Sequence, residues 1–340
     1  MVLCHMIQFF ERRDLYPEQY WIMTVINSIA FPAFLFAYGR SVWLAYYRGS
    51  LRDAAPRMLR SALRAYGAYC VSGTAYQVIC AGRDFSSETV LRVITLRDVP
   101  GWSEFLAAFA AFGLAALLLF PALQKLLERK LWVGAVVLVC LACTFLPYDR
   151  IPSTHLGLFI GTTSFACFPV LQYFPFFLAG LYAGRYGMER KLLWLGGAGL
   201  LSAAGIAYFA ANGEPSRFPP SLWWMLLPCL ALVLLDWGAE ALNRLSGQRP
   251  EVRRVLSPIE SMGRNSLYYL VASNLAIFSV SRMGTLPLSR HGEVFPFTLP
   301  MNSTPWAMFW TLVLLLGIAF VSSLCRKAPK MSGGKSERRR

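Results

Sequence analysis

The sequence predicts an all-α fold: a polytopic integral membrane helical bundle of about ten transmembrane helices, with both termini cytoplasmic. Three observations carry this. Hydrophobic residues make up 56% of the chain and charged residues 15%, where a soluble domain holds about 25% charged residues. Uninterrupted apolar runs of about 18 to 22 residues recur from end to end, and a helix rising about 1.5 Å per residue needs about 20 of them to cross a hydrocarbon layer of about 30 Å. Finally, the basic residues alternate between rich and poor loops, as cytoplasmic retention of Lys and Arg requires.

In chain order, Met1 to Phe10 is apolar but covers only about half a bilayer. It ends at Glu11, Arg12, Arg13 and Asp14 and reads as the remaining half of a first span. Nine further spans are expected at 20–46, 63–82, 103–124, 131–148, 164–184, 192–211, 221–242, 263–282 and 305–325. Tyr20, Trp21, Trp102, Trp132, Trp223, Trp224 and Trp306 stand near span ends, where amphipathic rings anchor at the membrane interface. Runs spread this widely exclude a cleaved signal peptide as their explanation, and no amphipathic region is long enough for a separate soluble core. Residues 1–325 therefore read as one membrane domain. Residues 326–340 read as a disordered basic tail able to touch anionic lipid.

Ten crossings divide the loops into two sets. The loops 40–64, 125–130, 185–191 and 244–264 and the tail from Arg326 hold 24 of the 33 basic residues; the other set holds 9. A nine-span arrangement would scramble this alternation. The net charge of +15 is spread over these loops rather than gathered in one domain, which excludes nucleic acid as the expected partner and leaves the lipid bilayer. Cys140 and Cys143 have redox spacing but lie inside an apolar run without a second pair or a histidine nearby, so they read as small packing residues. No Walker loop, metalloprotease helix, nucleophile elbow or dinucleotide fingerprint is present, and neither a bound cofactor nor a metal is expected.

Polar groups inside apolar spans are then the informative ones, because ionisable side chains at membrane depth are costly and tend to line functional cavities. His5, in VLCHMIQFF, is suited to exchanging protons near neutral pH; equally, it could be a histidine hydrogen-bonded between helices. Arg57, Arg60 and Arg64 share one helical face at the start of the third span. They fit either positive-inside anchoring or a phosphate clamp for a coenzyme A thioester arriving from the cytoplasm. Asn265 and Ser266 begin the span at 263 and could support a site or bridge helices. Asp236 is the strong intramembrane carboxylate candidate.

In this order, these features resemble the membrane-bound acyltransferase-3 family, in particular its glycan O-acyltransferases and glucan succinyltransferases. The resemblance rests on His5 in the first span, the Phe-rich segment from Phe31 to Arg40, the arginines at 57, 60 and 64, the aromatic segment from Tyr173 to Gly180, and Gly263-Arg264-Asn265-Ser266-Leu267. It implies transfer of an acetyl or succinyl group from cytoplasmic acyl-CoA to a hydroxyl of a cell-surface or periplasmic glycan, an O-acetylation type of polysaccharide modification. His5 would act as general base or, alternatively, as a transient acyl carrier, and the arginines as donor-binding groups. The implied location is the bacterial plasma (inner) membrane. Two departures stand out. The family usually carries an arginine about ten residues before its histidine, where this chain has four residues before His5, so either the start lies upstream or the catalytic apparatus is incomplete. It also often has a histidine after the Gly-x-Asn-Ser-Leu segment, where this chain has Ala272-Ser273-Asn274. Alternative readings are a transporter or a non-catalytic component of polysaccharide synthesis or export.

Overall fold

The computed structural model describes residues 1–10, 19–151, 153–188, 191–283, 289–290, 293–294 and 304–327. Much of the two loops expected near 11–19 and 282–304, and the tail beyond 327, lie outside the described residues. Helices dominate: α1 (Val2–Phe10), α2 (Gln19–Val42), α3 (Leu51–Ile79), α4 (Ser87–Ile94), α5 (Glu104–Leu118), α6 (Phe120–Glu128), α7 (Lys130–Ala142), α8 (Thr154–Ile160), α9 (Val170–Tyr186), α10 (Lys191–Asn212), α11 (Leu222–Leu226), α12 (Cys229–Gln248), α13 (Pro250–Arg264), α14 (Ser266–Met283) and α15 (Thr304–Lys327). The described strands are β1 (Ser289–Arg290) and β2 (Glu293–Val294), paired antiparallel in one short ladder.

The fold is helical as expected, but the helices are less uniform than ten equal spans. Among the described residues four are long and apolar enough to cross a membrane alone: Trp21–Tyr47, Leu192–Asn212, Leu222–Gln248 and Thr304–Ser323. A fifth arises if α5 and α6, bent by 76° at Leu119, count as one. The other expected spans fall short for identifiable reasons. The start of α3, from Leu51 to Arg64, carries four arginines and an aspartate, and the remainder is diluted by polar residues such as Ser72, Thr74 and Gln77. α7 stops after 13 residues in a 3-10 turn, and α9, with its Pro169 cap, spans 17. The span expected at 263 begins instead at Ser266, because Asn265 breaks the chain from the exposed helix α13.

The core centres on α2 and α9, the most extensive helix pair. Their backbones approach through two glycines. A Cβ on Gly39 would collide with the Phe177 carbonyl oxygen, and one on Gly180 with that of Phe36. Small residues are what permit helices in lipid to pack this closely. Phe31 stacks on Phe168 at a centroid distance of 3.9 Å and meets Tyr173 edge-on, closing one end of the pair. At the other end Arg40 bonds Asp236 and reaches Glu240 at 3.0 Å, tying α2 to α12. α3 packs against α5 and α14, and α1 lies against α2, α14 and α15. The nine residues of α1 are thus packed against protein on several sides.

Candidate functional site

His5 is 3% exposed. Its Nδ1 lies 2.8 Å from Oδ1 of Asn274, on α14. The Asn274 amide nitrogen donates to the Ser72 hydroxyl on α3 at 3.0 Å and to the Trp102 carbonyl at 3.2 Å, while Ser72 and Ser103 share a hydroxyl–hydroxyl bond of 2.8 Å. The network therefore joins α1, α14, α3 and the turn before α5, and His5, Ser72, Ser103 and Asn274 are all buried. Buried polar side chains need such partners, since an unmade hydrogen bond there costs about 1–3 kcal/mol.

Trp102 is held in a left-handed backbone conformation, φ +58°, which a bulky residue rarely adopts. Its indole donates to Gln8 Oε1 at 2.7 Å, and its ring packs on Phe9 and Tyr76 with centroids 4.7 and 5.3 Å away. Gln8 in turn donates to Asn27 on α2 at 3.0 Å, and the Cys4 thiol donates to the same oxygen at 2.8 Å. One face of α1 is thus locked to its neighbours by side-chain hydrogen bonds.

His5 borders a pocket of about 180 Å³ together with Glu104, Arg217, Trp102 and Phe218. Glu104 begins α5, and its Oε2 is buried without a hydrogen-bond partner among the described residues. Sequence reasoning singled out Asp236 as the intramembrane carboxylate; Asp236 is engaged by Arg40, and Glu104 is the carboxylate beside His5. Arg217 lies over the rings of Phe168 and Phe218 at 5.4 and 4.6 Å, its Nε likewise buried and unpartnered among the described residues. Met1, Phe31 and Phe105 form a shared wall between this pocket and a larger, mainly apolar cavity of about 760 Å³.

Ser41, Ser61, Ala65, Gly263 and Ser266 line that larger cavity. Ser266 therefore faces a site, whereas the Asn265 amide donates to the Ser261 carbonyl of its own turn at 2.8 Å. Arg57, Arg60 and Arg64 are exposed and do not meet His5. Arg57 bonds the Asp53 carbonyl at 3.2 Å and lies over Tyr46. By helical geometry Arg57 and Arg64 sit one turn either side of Ser61, on the exposed flank of the cavity wall. Cys140 and Cys143 are both free, and no group of three or more His, Cys, Asp or Glu that could hold a metal occurs among the described residues.

A family model described as an acyltransferase domain, that of the acyltransferase-3 family, matches residues 1–326. No curated protein and no solved structure matches the chain.

Proposed function

Because the chain belongs to the acyltransferase-3 family and is an integral membrane acyltransferase, we propose that it moves an acetyl or succinyl group from cytoplasmic acyl-CoA to a glycan hydroxyl on the far side of the bacterial plasma membrane. The observation that carries this reading is the pair of cavities meeting at Met1, Phe31 and Phe105. The larger one is lined by Ser41, Ser61 and Gly263, from segments rich in basic residues. The smaller one is lined by Gly101, Trp102, Arg217 and Phe218, from segments poor in them. Under the rule that basic loops stay inside, the cavities open to opposite sides, with His5 in the lining of the smaller one. Ten crossings with both termini cytoplasmic complete this topology.

In the proposed reaction the neutral His5 imidazole takes the proton of the acceptor hydroxyl as that oxygen attacks the thioester carbonyl carbon. The tetrahedral adduct collapses, the carbon–sulfur bond breaks, and the departing sulfur takes the proton back from His5. An ester and free coenzyme A result, with no net change at the histidine. Arg217 and Glu104 offer a donor and an oxygen to the acceptor, while Arg57, Arg60 and Arg64 attract the donor's phosphates at the cytoplasmic mouth. Exclusion of water strengthens each of these interactions and limits hydrolysis of the thioester.

His5→Ala tests the reading. A general base contributes about 10²- to 10⁴-fold in rate, so the variant should lose transfer of radiolabelled acetyl or succinyl groups from coenzyme A to glycan while reaching normal abundance in membranes. Full transfer by His5→Ala protein would sink the mechanism.

A further inference from the structure

We propose that Asn274 is a positioning residue: it holds His5 in the tautomer with the proton on Nδ1, leaving Nε2 as the atom that accepts the substrate proton. The proposal rests on the reading of His5 as the base and adds which nitrogen acts and what selects it.

The Trp102 carbonyl can only accept a hydrogen bond. It lies 3.2 Å from the Asn274 amide nitrogen. The same nitrogen lies 3.0 Å from the Ser72 hydroxyl, so both amide hydrogens have partners and Ser72 is left to donate to Ser103. Turning the amide over would set Oδ1 against the Trp102 carbonyl, two acceptors face to face at a side chain with no exposed surface. The amide orientation is therefore determined by its partners. Oδ1 then faces His5 Nδ1 at 2.8 Å, and an acceptor at that distance requires hydrogen on Nδ1. The alternative tautomer would place two lone pairs there. The second ring nitrogen is thereby left unprotonated in the neutral imidazole, on a side chain that borders the pocket. A hydrogen bond at one ring nitrogen setting the role of the other is a general property of histidine. The left-handed backbone of Trp102 gains a purpose from this, since it supplies the carbonyl that orients the amide.

Glu104, Arg217 and the Cys4 thiol border the same pocket. Their charges are common to all variants at position 274, so a difference in pH profile between variants reports on that position. The test uses the full chain in lipid nanodiscs, with acetyl- and succinyl-CoA as donors and a glycan extract of the producing cells as acceptor, following thiol release and ester formation. Asn274→Leu should lower kcat by about 10²- to 10⁴-fold, the range for losing a correctly presented base, with the KM for donor unchanged. Asn274→Asp keeps an acceptor toward Nδ1. It should hold kcat within about tenfold of native, and the acidic limb of its pH profile should move about one unit higher, because a carboxylate favours the imidazolium.

Native kcat in Asn274→Leu, alongside an inactive His5→Ala protein, would overturn the proposal and leave the base reading standing. Equal losses in the Leu and Asp variants with no movement of the limb would also overturn it, assigning Asn274 to packing. If Asn274→Leu fails to accumulate, the Asp variant decides alone: a raised limb supports the proposal and an unmoved one overturns it. An active His5→Ala protein removes the base reading, and this proposal with it.

Discussion

A buried histidine needs a hydrogen-bond partner whether or not it does chemistry, so the burial of His5 alone does not distinguish a catalytic group from helix-bridging glue. The distinguishing features are its surroundings: a pocket, a carboxylate oxygen and a guanidinium nitrogen that lack partners among the described residues, and an amide that engages one ring nitrogen. The arginines present the opposite case. Their shared face is legible in the spacing of 57, 60 and 64, and the structure leaves them exposed and apart from His5. As donor-phosphate contacts they would act through the cavity wall at Ser61 and Ala65 rather than at the reacting atoms. Arg60→Gln and Arg64→Gln should each raise the KM for acyl-CoA by about tenfold or more, in keeping with about 1.5–3 kcal/mol for a hydrogen bond to a charged group, with membrane insertion intact. Unchanged KM in both variants would return these residues to anchoring.

At the scale of elements, α2 and α9 show why the aromatic segments are interrupted by glycine. Gly39 and Gly180 each face a carbonyl oxygen of the opposite helix, where even one methyl group has no room. Because the obstacle is backbone, a neighbouring side chain cannot yield by changing rotamer, and overpacking of this kind costs about 1–3 kcal/mol or more. Gly180→Ala should therefore lower the amount of folded protein recovered in mild detergent and its melting temperature. Gly196→Ala and Gly197→Ala, with no atoms near the added methyl, should match native in the same size-exclusion and thermal-shift assays. Recovery of Gly180→Ala equal to those controls would show that the helices can separate without consequence. α1 illustrates a different point: a helix of 9 residues is too short to span a bilayer, yet it packs against α2, α14 and α15, and its Cys4 and Gln8 side chains bond Asn27 of α2.

For the whole molecule, the proposed function is directional. The two cavities are defined by which side chains line them, but their assignment to opposite sides of a membrane depends on the loop charges, 24 basic residues against 9. Single cysteines introduced in a cysteine-depleted background at Asp53 and Ser332 should be shielded from an impermeant maleimide in intact cells. A cysteine at Ser86 should be labelled. Labelling of Ser332→Cys while Asp53→Cys stays shielded would break the proposed parity and require a different number of crossings.

Composition, apolar run length and loop charge by themselves determine that this chain is helical and membrane-embedded, because those properties follow from summed transfer energies that do not depend on which helix meets which. The family resemblance was likewise legible in local segments such as VLCHMIQFF and those around Phe31, Tyr173 and Gly263, and the match over residues 1–326 agrees with it. The partners of His5 were not legible. Asn274 read only as a histidine not present, and nothing in the sequence singled out Glu104 or Arg217. Tertiary structure alone brought positions 5, 72, 102, 104, 217 and 274 to one place. Hydrogen bonds act over about 3 Å, and only the packing of α1 against α14, with α3 beside it, closes separations of up to 269 residues to that distance.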